Sequence, residues 1–376
     1  MIIIFILSLL QMKEKETMLG LEIKVLYNIN INQVYMSSTH TLDSLATALD
    51  TLWVATSTIL VFWMQAGFAL VEVGSVRVKN SQNILFKNLF DICITTVLWW
   101  LLGYGMAYGE SRGNFVGGSL FTAKDFDANP VRYRDFMFQW AFSGTMITIV
   151  SGAMAERTKI FGYILLCVWM NILVYPFIVH WTWGKGWLYD EGYYDFAGSG
   201  IVHEVGGVAA LMGAIMIGAR EGRWEAGAEQ RFKPHNIPFI VTGTFVLWMG
   251  WYGFNGGSTL SFTGGNEFIA FKVMLNTSLS AVAAGFVVLM LKGFITKVFE
   301  LPFMCNGILA GLVSITASCD GVTDYEAFII GILGGLIVTG VSYLVKACKV
   351  DDAIDAFAVH GACGAWGAIA VGLFHQ

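Results

Sequence analysis

Asp195-Phe-Ala-Gly-Ser-Gly-Ile-Val-His203 and Asp355-Ala-Phe-Ala-Val-His360 each place a histidine a few residues after an aspartate, inside an apolar stretch of membrane-spanning length. An ionisable side chain in hydrocarbon is costly. Such groups face a bundle interior or a solute pathway. These two stretches therefore decide the class of fold and the place to look for function.

Working outward, apolar runs of roughly 18–25 residues recur along the chain, each long enough to cross a bilayer as a helix. They predict ten helices, near 48–72, 84–108, 136–155, 160–181, 199–219, 237–255, 267–293, 302–319, 326–347 and 356–375. Composition agrees: 56% of the residues are hydrophobic and 13% charged, the balance of a chain surrounded by the lipid bilayer. The weak net charge of −5 says nothing about nucleic acid, and no nucleic-acid partner is expected of a chain of this class. The cysteines are scattered without a C-x-x-C pair. They predict packed small apolar side chains and neither a metal site nor a redox motif, and no cofactor is expected.

Residues 1–40 read as an N-terminal extension of unknown role. Their apolar run Ile2–Leu10 is too short to span, and it lacks the basic flank and cleavage site of a signal peptide. Residues 41–376 read as one transmembrane domain, with helices 1–5 over about 48–219 and helices 6–10 over about 237–375.

Lys and Arg set the orientation. Segments after odd-numbered helices hold about thirteen, among them Arg77, Lys79, Lys87, Arg157, Arg220, Arg223, Arg231, Lys292 and Lys346, against about five after even-numbered ones. The former are expected in the cytoplasm, with both termini outside. Ten helices divide into five and five, and an odd-numbered repeat emerges inverted, a plan that puts the substrate path at the repeat interface. His203 in helix 5 and His360 in helix 10 then occupy equivalent places. Trp63-Met-Gln-Ala-Gly-Phe68 and Trp248-Met-Gly-Trp-Tyr-Gly-Phe254 echo each other in helices 1 and 6. Gly206, Gly207, Gly331, Gly334, Gly335 and Gly340 read as sites of close helix packing.

Several long motifs, in order, carry a resemblance to a known family. They are Gln65-Ala-Gly-Phe-Ala-Leu-Val-Glu-Val-Gly-Ser-Val-Arg-Val-Lys-Asn80, Ala153-Met-Ala-Glu-Arg157, Asp195-Phe-Ala-Gly198 with His203, Lys233-Pro-His-Asn-Ile-Pro238, Gly250-Trp-Tyr-Gly-Phe-Asn-Gly-Gly-Ser258, and Val350-Asp-Asp352 with Asp355 and His360. From about residue 50 to its end the chain resembles the ammonium transporters of the Amt/Mep/Rh family. The Trp183 and Ser258 pattern resembles the Amt branch. The resemblance implies an all-α polytopic membrane protein of two inverted five-helix repeats plus a long eleventh helix and a cytoplasmic tail. It also implies a homotrimer with one pore per subunit and, in a full-length form, a regulatory protein as partner. The chain stops at Gln376, just after helix 10. Helix 11 and the tail are therefore expected to be absent, as in a fragment or a shortened variant.

Carried over by position, Trp183, Ser258 and Phe142 match the outer ammonium site, and Phe142 and Phe254 match its gate. His203 and His360 match the twin pore histidines, and Asp195 matches a buried carboxylate that supports the outer site. Where Glu204 points is left open, and the family usually has an apolar residue there. Glu156, Arg157 and Lys159 read as a cytoplasmic turn. Asp351, Asp352 and Asp355 read as carboxylates at the start of helix 10, favoured by its dipole. His40, His180, His235 and His375 are given no catalytic role.

Energetics fit the resemblance. Stripping an ammonium ion of water costs on the order of ten kcal/mol, whereas a cation–π contact returns about 0.5–2 kcal/mol. Removing a proton from an acid about two pKa units above neutral costs only about 3 kcal/mol. Passing neutral ammonia is therefore the cheaper route, and potassium cannot follow it. Three classes of function remain: an ammonium transporter, an ammonium sensor or receptor with little transport, and a metal enzyme. The last lacks a third ligand near the histidines, so the expectation is not an enzyme. The membrane expected is the plasma membrane.

Overall fold

The computed structural model describes residues 2–376, without the side chains of residues 2–10, 23, 25–40 and 229. The expectations for Ile2–Leu10 and His40 lie outside the described side chains. The chain divides into two compact units, Met1–Asp50 and Thr51–Gln376. The first is helical throughout its described residues.

Each apolar run becomes a rod. In lipid, a helix satisfies its backbone N–H and C=O groups without outside help. Helix 1 is Ile2–Ser75, of which Thr41–Ser75 is the membrane-length part. Helix 2 is Val78–Tyr108, helix 4 Ile160–Trp181, helix 5 Ser199–Ile217, helix 6 Ile237–Thr259, helix 7 Asn266–Thr296, helix 9 Asp324–Ala347 and helix 10 Phe357–Phe374. These eight are long and apolar enough to cross a membrane. Helix 3, Val131–Ala153, misses that mark because Gln139, Ser143, Thr145, Thr148 and Ser151 dilute its apolar run. Helix 8, Leu301–Ile315, misses it because it is only 15 residues long. Among the described residues the only strands form a small antiparallel pair, Ser111–Arg112 with Val116–Gly117, in register Ser111↔Gly117. The chain is an all-α polytopic membrane protein of two inverted five-helix repeats, helices 1–5 and helices 6–10.

The rods are not uniform. π-helical turns interrupt them at Trp99–Gly103, Met170–Val174, Ser199–Glu204, Tyr252–Gly256 and Phe357–Ala362. Such turns re-aim side chains and gather at functional sites. His203 and His360 lie in two of them, at the start of helix 5 and of helix 10, and Phe254 lies in a third.

Helices 5 and 10 cross at glycine. A Cβ on Gly207 would strike the backbone of Gly361 and His360, and one on Gly364 would lie 2.6 Å from the backbone of Ser199 and Glu204. This approach brings the two histidines within reach of each other. Gly331, Gly334 and Gly335 are similarly crowded by Ser280, Ser314 and Ala284. Gly340 has no such neighbour within 4 Å in this chain.

One end of the bundle is tied by buried charge. Glu156 lies in a turn after helix 3, as expected, and there it also joins an ion-pair network, receiving Arg77 at 2.6 Å and Arg220 at 3.2 Å. Asp351 accepts from Arg220 Nε at 2.8 Å and from Arg223 at 3.2 Å. Asp355 accepts from Ser342 at 2.8 Å and lies 3.8 Å from Lys292 and 3.6 Å from Lys346. Of the three aspartates read as helix-start carboxylates, Asp352 acts so, taking Phe357 N at 2.7 Å. Asp351 instead pairs with arginines of the loop after helix 5, and Asp355 with side chains of helices 7 and 9, contacts that outweigh a helix dipole. Burial would raise the Asp351 carboxyl, but hydrogen bonds and charge from Arg220 outweigh it and hold the carboxyl at about 2. Two lysines counted with the loops lie inside helices and are buried, Lys87 in helix 2 and Lys292 in helix 7.

Candidate functional site: an aromatic mouth above paired histidines

A cavity of about 280 Å³ opens at the end of the bundle away from this network, lined by Phe142, Trp183, Asp195, Ile201 and Ser258 among others. Asp195 is the residue that shapes it. Its Oδ1 accepts from the backbone N–H of Gly198 at 2.8 Å and Ser199 at 2.9 Å, and its Oδ2 from Gly200 at 2.8 Å and Ile201 at 3.1 Å. These are the N–H groups that a helix leaves unpaired at its start. Burial raises the Asp195 carboxyl above its ordinary range, against the pull of the four donors. The Asp195 carbonyl also takes Trp183 Nε1 at 2.8 Å, which fixes the indole. Gly198 makes room for it: with φ of +102° the turn favours glycine, and a Cβ there would lie 2.9 Å from the Trp183 ring.

Phe142 meets the Trp183 ring edge-on at 5.9 Å and stacks on Phe254 at 4.0 Å, closing the cavity floor. Ser258 Oγ donates to the Phe254 carbonyl at 2.7 Å, which leaves its lone pairs able to accept a hydrogen bond. Below the phenylalanines, Phe254 lies 5.3 Å from the His203 ring. His203 stacks on Trp251 at 5.1 Å, and Trp251 is itself held by Thr316 at 3.0 Å. His203 and His360 face each other Nδ1 to Nδ1 at 3.3 Å. That bond requires a proton on one Nδ1 and none on the other, so the two rings take complementary tautomers. His203 Nε2 is buried with no hydrogen-bond partner among the described residues.

A second cavity, of about 20 Å³, lies on the far side of the pair. Its wall includes His360, Phe68, Glu72, Asn306, Leu309 and Val359. The residues expected at the mouth, the gate and the pore thus form one connected line. Glu204 lines neither cavity. It is half-buried, with Oε2 near Gly200 one turn back. His180 bridges the Ala107 carbonyl and Ser111, and His235 reaches the Val76 carbonyl, both as loop ties. His375 pairs with Asp320 at 3.4 Å. Among the described residues no cluster of His, Cys, Asp and Glu is arranged to hold a metal ion.

One group was missed in the sequence. Glu72, Lys87 and Asp91 are buried together between helices 1–4. Glu72 Oε2 accepts from Ser151 at 3.0 Å and Asn88 at 3.3 Å, and Asp91 from Tyr163 at 2.7 Å and Cys167 at 3.1 Å. Lys87 Nζ lies over the Tyr163 ring at 5.1 Å and has no hydrogen-bond partner among the described residues. Glu72 stands within the quoted Gln65–Asn80 motif, and an ionisable residue within an apolar run was the available signal.

Known proteins share this framework. The Ammonium Transporter Family profile matches residues 52–376. Ammonium transporter 1 member 3 of Solanum lycopersicum is 36% identical over 349 residues, which cover 88% of this chain and 76% of that protein. A solved structure titled "Sensor Amt Protein" superposes with a TM-score of 0.85 at 36% identity, over 89% of this chain and 84% of that one. Mep2 of Candida albicans superposes with a TM-score of 0.81 at 31% identity, over 88% and 73%. Matched along nearly all of its membrane unit by sequence and by fold, the chain belongs to the ammonium transporter family.

Proposed function

We propose that this chain takes up ammonium at the mouth formed by Trp183, Phe142 and Ser258, deprotonates it there, and passes ammonia beyond the Phe142–Phe254 gate along His203 and His360. The observation that carries the reading is the unbroken line of contacts from the stacked phenylalanines, at 4.0 Å, to the facing imidazoles, at 3.3 Å. The aromatic faces favour a cation by about 0.5–2 kcal/mol. That is too little to offset full dehydration, so the ion stops at the mouth and ammonia enters the apolar segment. Asp195 acts through position: it sets the start of helix 5 and the Trp183 indole. The proton passes separately, because neutral imidazoles that face each other each offer one donor and one acceptor. The expected setting is a plasma membrane, as a homotrimer with one pore per subunit.

Purified protein in proteoliposomes, given an inward ammonium gradient, is the test. The reading predicts ammonium-dependent flux that exceeds that of empty vesicles. Ammonium binding without flux would favour a sensor or receptor instead, an alternative raised by the likeness to the structure titled a sensor.

A further inference from the structure

The geometry points to Glu72 as the inner proton acceptor of this pore, the group that returns a proton to ammonia after the histidines. The inference rests on the transport reading above. Its first support is placement. Glu72 and His360 line the same cavity of about 20 Å³, which is room for one water-sized molecule and hence for one ammonia. Phe68, one turn earlier on helix 1, lies 6.0 Å from the His360 ring, so Glu72 occupies the next turn beyond the pair. The hydrogen bonds to the carboxyl from Ser151 and Asn88 both fall on Oε2.

The second support is charge balance. Glu72, Lys87 and Asp91 are two acids and one base, all buried. Fully ionised, the cluster carries one net negative charge in an apolar bundle. With one added proton it is neutral. Burial disfavours net charge, so the cluster is built to accept and hold one proton. Asp91 is tied to Tyr163 and Cys167, away from the cavity lining, which leaves Glu72 as the carboxyl that meets the pore.

The step balances. Ammonium at the mouth loses one proton, and that proton crosses the imidazole pair and binds the Glu72 carboxylate. Ammonia crosses the apolar segment and takes the proton from the Glu72 carboxyl as it leaves. Ammonium re-forms and the carboxylate is restored.

Glu72→Gln keeps the shape and the acceptor for Ser151 and Asn88, and it mimics the protonated form. Proton movement driven by ammonium chloride would be compared in proteoliposomes of wild type, E72Q and E72D, each first checked for monodispersity. The expected result is a loss of about a hundredfold in E72Q, with partial recovery in E72D. A wild-type rate in E72Q overturns the proposal. A wild type that moves no ammonium overturns the transport reading instead. Should E72Q not fold, infrared difference spectra of wild type labelled with ¹³C-glutamate decide the matter. A carboxyl–carboxylate change on adding ammonium supports the assignment, and its absence overturns it.

Discussion

Trp183 and Asp195 are joined at 2.8 Å, indole Nε1 to backbone carbonyl, while the Asp195 carboxyl holds the first N–H groups of helix 5. One residue therefore sets both the wall of the mouth and the origin of the helix that carries His203.

Asp195→Ala is expected to lower stability by about 2 kcal/mol, since four N–H groups lose their acceptor. It should also impair uptake through the displaced indole. Thermal unfolding in detergent and ammonium flux in vesicles report the two effects. Asp195→Asn should fare little better, because an amide offers a single acceptor oxygen to four donors.

Trp183→Leu removes the aromatic wall and leaves Asp195 intact. Ammonium affinity should fall by about 2- to 30-fold, the equivalent of one cation–π contact, and methylammonium should compete more effectively. Competition assays on uptake measure both, and unchanged affinity and selectivity would remove Trp183 from the site.

Asp351 predicts a pH dependence. Its folded pKa of about 2 lies below the ordinary 3.8. Its contribution to stability is therefore complete above about pH 4 and fades as pH falls toward 2. Wild type should lose more melting temperature over that window than Asp351→Asn. At neutral pH the variant should be the less stable of the two, because the buried Arg220 guanidinium loses its closer carboxylate and keeps only Glu156, at 3.2 Å.

Eight of the ten helices were legible because lipid demands long apolar runs, and these survive averaging over a window; helices 3 and 8 stood out as weaker or shorter apolar runs. The histidines were legible as ionisable groups within such runs. What stayed hidden was pairing over distance. Nothing local to Asp351 announces Arg220, 131 residues away in sequence. Asp351 and Asp355 therefore looked like dipole carboxylates. Lys87 looked like a loop residue because it stands close to the predicted start of helix 2, whereas the observed helix begins earlier and buries it. Glu72 disappeared into the same hydropathy average, and only the cavity it shares with His360 singles it out.

The central claim is that the proton and ammonia part company at the mouth, above the Phe142–Phe254 gate, and pass the His203–His360 pair separately. The most direct measurement is ammonium-elicited current in proteoliposomes with potassium as the competing ion, for wild type and for the double variant His203→Asp with His360→Glu. The account predicts that wild type excludes potassium. In the double variant, carboxylates that can coordinate a cation and admit water should let potassium pass. A wild type that carries potassium as well as ammonium would contradict the account, and a double variant that stayed fully selective would move the selectivity to the Trp183 mouth.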